Sequence, residues 1–127
     1  MAHILLISDN ETINHLYPIN LSIYLASDVT LKPHWDAAKK VLDARPHLDL
    51  IIALKEEVRS VLNYVESEQL AIPVLSIGEL KNPQFKKLLI LSDPTNIPDM
   101  LKTIAKLFNI TAKIMAEKRL KVIFLFL

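Results

Sequence analysis

The sequence predicts a doubly wound α/β domain, one parallel sheet with helices on both faces. Three observations carry that expectation. Short aliphatic runs alternate with segments whose apolar residues recur every three or four positions, the pattern of strands feeding crossover helices. The runs ILLI (4–7) and LIIAL (50–54) are apolar throughout rather than at every second position, as in strands buried on both faces. The chain has 127 residues, 51% hydrophobic and 23% charged, enough for one filled core and too few for two ordinary domains.

HILLIS (3–8) reads as the first strand and ends at the polar turn Ser8-Asp9-Asn10. Thr12 to Ala26 reads as a helix, with Ile13, Leu16, Tyr17, Leu21, Tyr24 and Leu25 on one face. Pro18 lies inside it and predicts a kink or a late start, because proline removes an i→i−4 bond. DVTL (28–31) is a short strand, and Trp35, Ala38, Val41 and Leu42 mark a helix from about Pro33 to Ala44. LDLIIAL (48–54) is the third strand. Glu56 to Gln69 is the next helix, with Val58, Val61, Leu62 and Val65 facing inward. Glu56 and Glu57 sit at its start, where the helix dipole favours anions.

IPVLSI (72–77) and KLLILS (87–92) are two further strands. Only GELKNPQFK (78–86) lies between them, with Pro83 inside it and the sole glycine, Gly78, at its head. That leaves room for about one turn at 1.5 Å per residue, so the helix expected there is missing or vestigial. Pro98 opens a last helix carrying Leu101, Ile104, Leu107 and Phe108. Thr111 to Leu120 is a candidate further helix.

Several function classes are excluded or disfavoured. A net charge of +1 with no basic stripe gives no case for nucleic acid. The absence of cysteine removes disulfides, thiolate nucleophiles and zinc–thiolate sites. The histidines, His3, His15, His34 and His47, lack metal-ligand spacing and read as surface residues. One glycine cannot make a phosphate-cradling loop. No run approaches the roughly 20 apolar residues of a membrane helix. The N-terminus has no secretory pattern, so the expected location is the cytoplasm and the sequons at Asn10, Asn20 and Asn109 read as chance. No cofactor and no enzymatic activity are expected.

In doubly wound sheets, ligands sit beyond the carboxyl ends of the strands. Four such ends are Ser8-Asp9-Asn10, Leu54-Lys55, Gly78-Glu79 and Ser92-Asp93-Pro94. At these ends the chain resembles the receiver domains of bacterial response regulators. ILLISDNE is similar to that family's first strand and acidic pair, and HLDLIIAL to the strand delivering its phosphoacceptor aspartate. AIPVLSIG is similar to the strand ending in a hydroxyl residue, and LLILSDPTNIPDMLKTIAKLF to the final strand, Lys-Pro step and last helix. The resemblance spans roughly residues 3 to 108. It implies a flavodoxin-like five-stranded sheet and a role in two-component signal transduction.

It also implies a chemistry that most of these residues cannot perform. Two acidic groups and the acceptor would hold Mg²⁺, while a hydroxyl and a lysine would bind the phosphoryl group. Carried over by position, the acidic pair falls on Ser8 and Asp9, and the acceptor on Leu54. The hydroxyl falls on Gly78, with Ser76 two residues early and buried. The lysine falls on Asp93, although Pro94 is kept. Leucine cannot form an acyl phosphate, and Asp9 alone is a poor Mg²⁺ site. The chain therefore resembles a degenerate pseudo-receiver, with no catalytic residues and no metal.

For the site residues, Asp9 is expected to cap the turn into the first helix, with residual metal ligation as the other reading. Lys55 is expected to pair with Asp9 or Asp93, or to bind an anionic ligand. A third reading moves phosphorylation to another residue such as Ser8 or Ser92, and no histidine is expected near Asp9 or Asp93.

The functional expectation is a phosphorylation-independent regulatory module, working by dimerisation or by docking a protein partner. Its expected surface is Leu88 to Phe108 plus the 79–86 loop, with Asp99, Met100, Lys102 and Lys106 on the solvent edge of the last helix. The alternative is a small-ligand sensor in which Asp9, Lys55, Ser92 and Asp93 line the strand-end cleft. Residues 1–109 are assigned to the pseudo-receiver domain. Residues 110–127 are assigned to a helical extension or linker towards a possible output domain. The apolar tail VIFLFL has three readings: a cover for the surface left by the missing helix, a pairing segment for another chain, or an altered or cut end.

Overall fold

The computed structural model describes residues 1–80 and 88–108. The elements are β1 (Ala2–Ile7), α1 (Glu11–Leu25), β2 (Ser27–Lys32), α2 (Trp35–Asp43), β3 (Leu50–Leu54), α3 (Lys55–Ser67), β4 (Val74–Ile77), β5 (Leu89–Leu91) and α4 (Ile97–Leu107). The strands form one five-stranded sheet in the order β2-β1-β3-β4-β5, and every pairing is parallel. This is the flavodoxin-like order. Among the described residues no helix stands between β4 and β5. The centre of that connection, like the helix expected at 111–120 and the tail, lies outside the described residues.

The side chains of each strand alternate between two cores, as the two-residue strand period requires. On one face Leu6, Ile52 and Leu75 lie in register under α1 and α4, with Ile4, Leu50, Ile77 and Leu91 around them. On the other face Leu5, Ile7, Ile51, Ala53 and Val74 meet Ala38 and Leu42 of α2 and Val58, Val61 and Tyr64 of α3. The four aliphatics of β1 are fully buried, which is why that strand reads as an unbroken run.

Three local expectations are corrected. The cap of α1 is Asn10, not Asp9: its side-chain oxygen accepts from the Ile13 N–H at 3.0 Å. Helix α1 starts at Glu11 and continues through Pro18 to Leu25, so the expected late start does not occur. The cap sets the start, and the missing proline N–H leaves only one mid-helix carbonyl without its partner. Met100 is fully buried rather than on the solvent edge of α4. Helix α4 packs against α1 as well as the sheet, and this second contact widens its buried stripe to include Met100.

A polar network ties the C-terminal end of α2 to that of α3. The Tyr64 hydroxyl donates to Asp43 and accepts from Arg45 Nη1 at 2.8 Å. Arg45 Nη2 pairs with Glu68 at 2.9 Å, and Trp35 meets the Tyr64 ring edge-on at 5.5 Å. The Lys39 ammonium, 2.8 Å from Asp43, and the Tyr64 hydroxyl together hold the Asp43 carboxyl below the usual carboxylate range.

Candidate functional site at the carboxyl ends of the strands

A cleft of about 640 Å³ opens where β1, β3 and β4 end. Its floor is apolar, made by Ile13, Leu54, Ile77 and Pro94. Its rim carries Asp9, Asn10, His34, Lys55, Glu56 and Glu57. Leu54 is half-buried against the core under α1 and α4, so its place at the end of β3 is a packing position.

Ser8 is fully buried and acts within the fold. Its hydroxyl accepts from the Asn10 N–H at 3.1 Å, and its carbonyl accepts from the Asn14 amide at 3.0 Å. Ser76 is also fully buried, and its hydroxyl donates to the Gly78 carbonyl at 2.9 Å. Gly78 has a positive φ of 102°, and its N–H donates to the Leu91 carbonyl at 3.0 Å. The expected pairing of Lys55 is not found: among the described residues it makes no ion pair. Its aliphatic stem lies over Gly78 instead, where a β-carbon would meet Lys55 Cδ at 3.1 Å. Asp93 turns onto its own loop, with Oδ1 accepting from the Thr95 N–H at 3.1 Å and its hydroxyl at 2.8 Å. Ser92 and Asp93 are exposed and lie outside the lining of the cleft.

Sequence reasoning missed His34. Its ring lies between two carboxylates, with Nε2 at 3.9 Å from Asp9 and Nδ1 at 3.4 Å from Glu57. The expectation that no histidine approaches Asp9 is therefore corrected. The missed signal was the carboxyl end of β2: His34 lies two residues beyond it, after Pro33, and belongs with the other strand ends. Glu57 also caps α2, accepting from the Trp35 N–H at 3.3 Å.

Tyr17 joins α1 to the loop after β5. It is fully buried, and its hydroxyl donates to the Pro94 carbonyl at 2.9 Å. Burial, and then the negative charge of Asp93, push its pKa well above the usual tyrosine range. A raised folded pKa contributes stability that is fully present below the unfolded value near 10 and is lost as pH rises beyond it. Tyr17→Phe is therefore expected to flatten the alkaline fall in the urea midpoint, with Tyr64, also shifted upward, keeping a residual slope. At neutral pH the lost hydrogen bond should cost about 1 kcal/mol.

The Mg²⁺ of receiver chemistry does not fit these residues. The Leu54 side chain offers no oxygen, the Ser8 hydroxyl is buried in the turn, and of the Ser8-Asp9 positions to which the resemblance assigns the acidic pair only Asp9 has a carboxylate. The His34 nitrogens face carboxylates on opposite sides of the ring, so one ion cannot join all three groups. Among the described residues no group of three or more histidine or acidic side chains could hold a metal ion.

No family model matches the sequence, and no curated protein matches it. Among solved structures, the chain is similar to a response regulator receiver domain protein from Bacillus halodurans. The TM-score is 0.71 at 22% identity, over 84% of this chain and 96% of that one. The fold is the receiver fold. The likeness covers nearly the whole neighbour. Among the described residues, no helix of this receiver fold is long and apolar enough to cross a membrane.

Proposed function

We propose that the chain is a regulatory module of bacterial signal transduction that uses the receiver scaffold without phosphotransfer and acts by contacting protein, either a second copy or another partner. The observation that carries this reading is Leu54. It stands at the end of β3, where the resemblance expects the acceptor aspartate, and it is half-buried against the core. Asp93 in the lysine position, folded onto Thr95, supports the same reading. The working surface runs along β5 and α4. Leu89 and Ile90 are 37% and 38% exposed on the edge strand, and Asp99, Lys102 and Lys106 are exposed on the helix.

The test is incubation with Mg²⁺ and acetyl phosphate, followed by intact mass. The expected result is an unchanged mass. Addition of one phosphoryl group would overturn the reading. Light scattering across a concentration series then separates the two modes of contact: a dimer supports self-association, and a monomer supports docking of a different protein.

A further inference from the structure

We propose that the segment VIFLFL (122–127) docks on the open edge of β5 as a sixth strand, antiparallel to β5 and in the same chain. The contact itself does not depend on the phosphorylation question. Its regulatory consequence rests on the preceding reading: a protein partner that uses β5 has to displace the segment.

The two edges of the sheet differ. β2 carries Asp28, Thr30 and Lys32 at alternate positions, polar side chains of the kind that keep an edge from pairing. β5 is Leu-Ile-Leu and has no charge. Leu89 is in register with Leu75 and Ile90 with Ser76, so the two point to opposite faces of the sheet, and both are exposed. A helix packed on either face would cover one of them, whereas a further strand beside β5 would flank both. The backbone points the same way. The Leu91 carbonyl accepts from the Gly78 N–H at 3.0 Å. Successive residues direct their backbone groups to opposite sides of a strand, so the N–H and C=O of Ile90 face away from β4. Among the described residues no strand lies on that side.

Composition, reach and charge identify the occupant. VIFLFL is apolar at every position, like the runs of β1 and β3 that are buried on both faces. Left exposed, such a run is an aggregation segment. Helix α4 brings the chain down to Phe108, which lines a second cleft with Ala2 and Pro73 at the amino ends of β1 and β4. The helix expected at 111–120 would rise about 15 Å, close to the length of α4, and return the chain to the carboxyl end of β5. Two arguments set the direction. Helix α3 steps the chain from β3 to β4 on one face, while α4 lies on the other. A parallel strand placed outside β5 directly after α4 would therefore have the opposite crossover hand, and crossovers are right-handed in about 98% of cases. In the antiparallel direction, Lys118, Arg119 and Lys121 enter beside the exposed Glu79 and Asp93, whereas in the parallel direction they would meet Lys86 and Lys87, which precede β5. Tethering raises the local concentration to about the millimolar range, which favours the same chain over a second copy.

The experiment is amide hydrogen exchange of the ¹⁵N-labelled full chain, read at Ile90. Its N–H is expected to exchange about tenfold more slowly than a free amide, as one net hydrogen bond implies, and equally at low and high protein concentration. Phe124→Asp should return Ile90 to the free-amide rate. The exchange of Ile52, in the middle of β3, should stay as it was and so show that the variant is folded. Lys121→Glu should speed exchange at Ile90 by about two- to fivefold, the scale of an exposed charge pair.

Exchange at the free-amide rate in the unsubstituted chain would overturn the proposal. So would protection that survives Phe124→Asp, which gives the edge to another segment, or protection lost on dilution, which gives it to a second copy. An unchanged rate in Lys121→Glu would overturn the antiparallel direction. The phosphodonor experiment reads separately, so failure of the phosphorylation-independent reading is distinguishable from failure of this one.

Discussion

Ile52→Ala is expected to lower the stability of the domain by about 2–5 kcal/mol, the range for deleting a buried aliphatic side chain. Ile52 is fully buried in the middle of β3, in register with Leu6 of β1 on one side and Leu75 of β4 on the other. Strands flank it on both sides, and α1 and α4 close the core above it. A cavity at such a site cannot collapse easily, so the cost belongs in the upper part of the range. A domain of this size has roughly 5–15 kcal/mol in total, and the urea midpoint should fall sharply. Ile90→Ala on the edge strand is the internal comparison. Ile90 is 38% exposed and should cost well under half as much. Equal effects at the two positions would show that the core is not organised around β3.

Gly78→Ala is the second large effect, and it reaches the cleft. The φ of 102° at this position lies in the region that L side chains rarely adopt. Holding alanine there should cost roughly 1–3 kcal/mol. The new β-carbon would also meet the Lys55 stem at 3.1 Å and push the ammonium aside. Urea denaturation measures the first effect. The amide shifts of Lys55 measure the second, and they should move even at pH and temperature where the variant is fully folded. An unchanged Lys55 resonance would mean that the stem does not rest on Gly78 in solution.

The strands and the order of elements were legible because burial on both faces leaves unbroken aliphatic runs. Boundaries were less so. The fourth strand was expected from Ile72 and begins at Val74. Pro73 has no N–H for the ladder, although its carbonyl accepts from the Ile51 N–H at 3.0 Å. The burial of Met100 was hidden because helical periodicity shows one stripe and does not show that a second helix, α1, packs beside it. The capping role went to Asn10 rather than Asp9 by a shift of one residue, which composition cannot resolve when both residue types are good caps.

That Leu54 offers no nucleophile and Ser8 no carboxylate follows from the sequence alone, because no fold can make leucine a nucleophile. The sequence alone also implies a parallel α/β sheet, through the spacing and apolarity of its runs. The tertiary structure decided which polar groups meet. It brought His34 from the end of β2 to Asp9 and Glu57, left Lys55 over Gly78 without an ion pair among the described residues, and turned Asp93 onto Thr95. These outcomes depend on where side chains from separate loops converge above the strand ends. Local pattern sets the strands, whereas the meeting of loops is set by the register of the sheet and the packing of helices on its two faces.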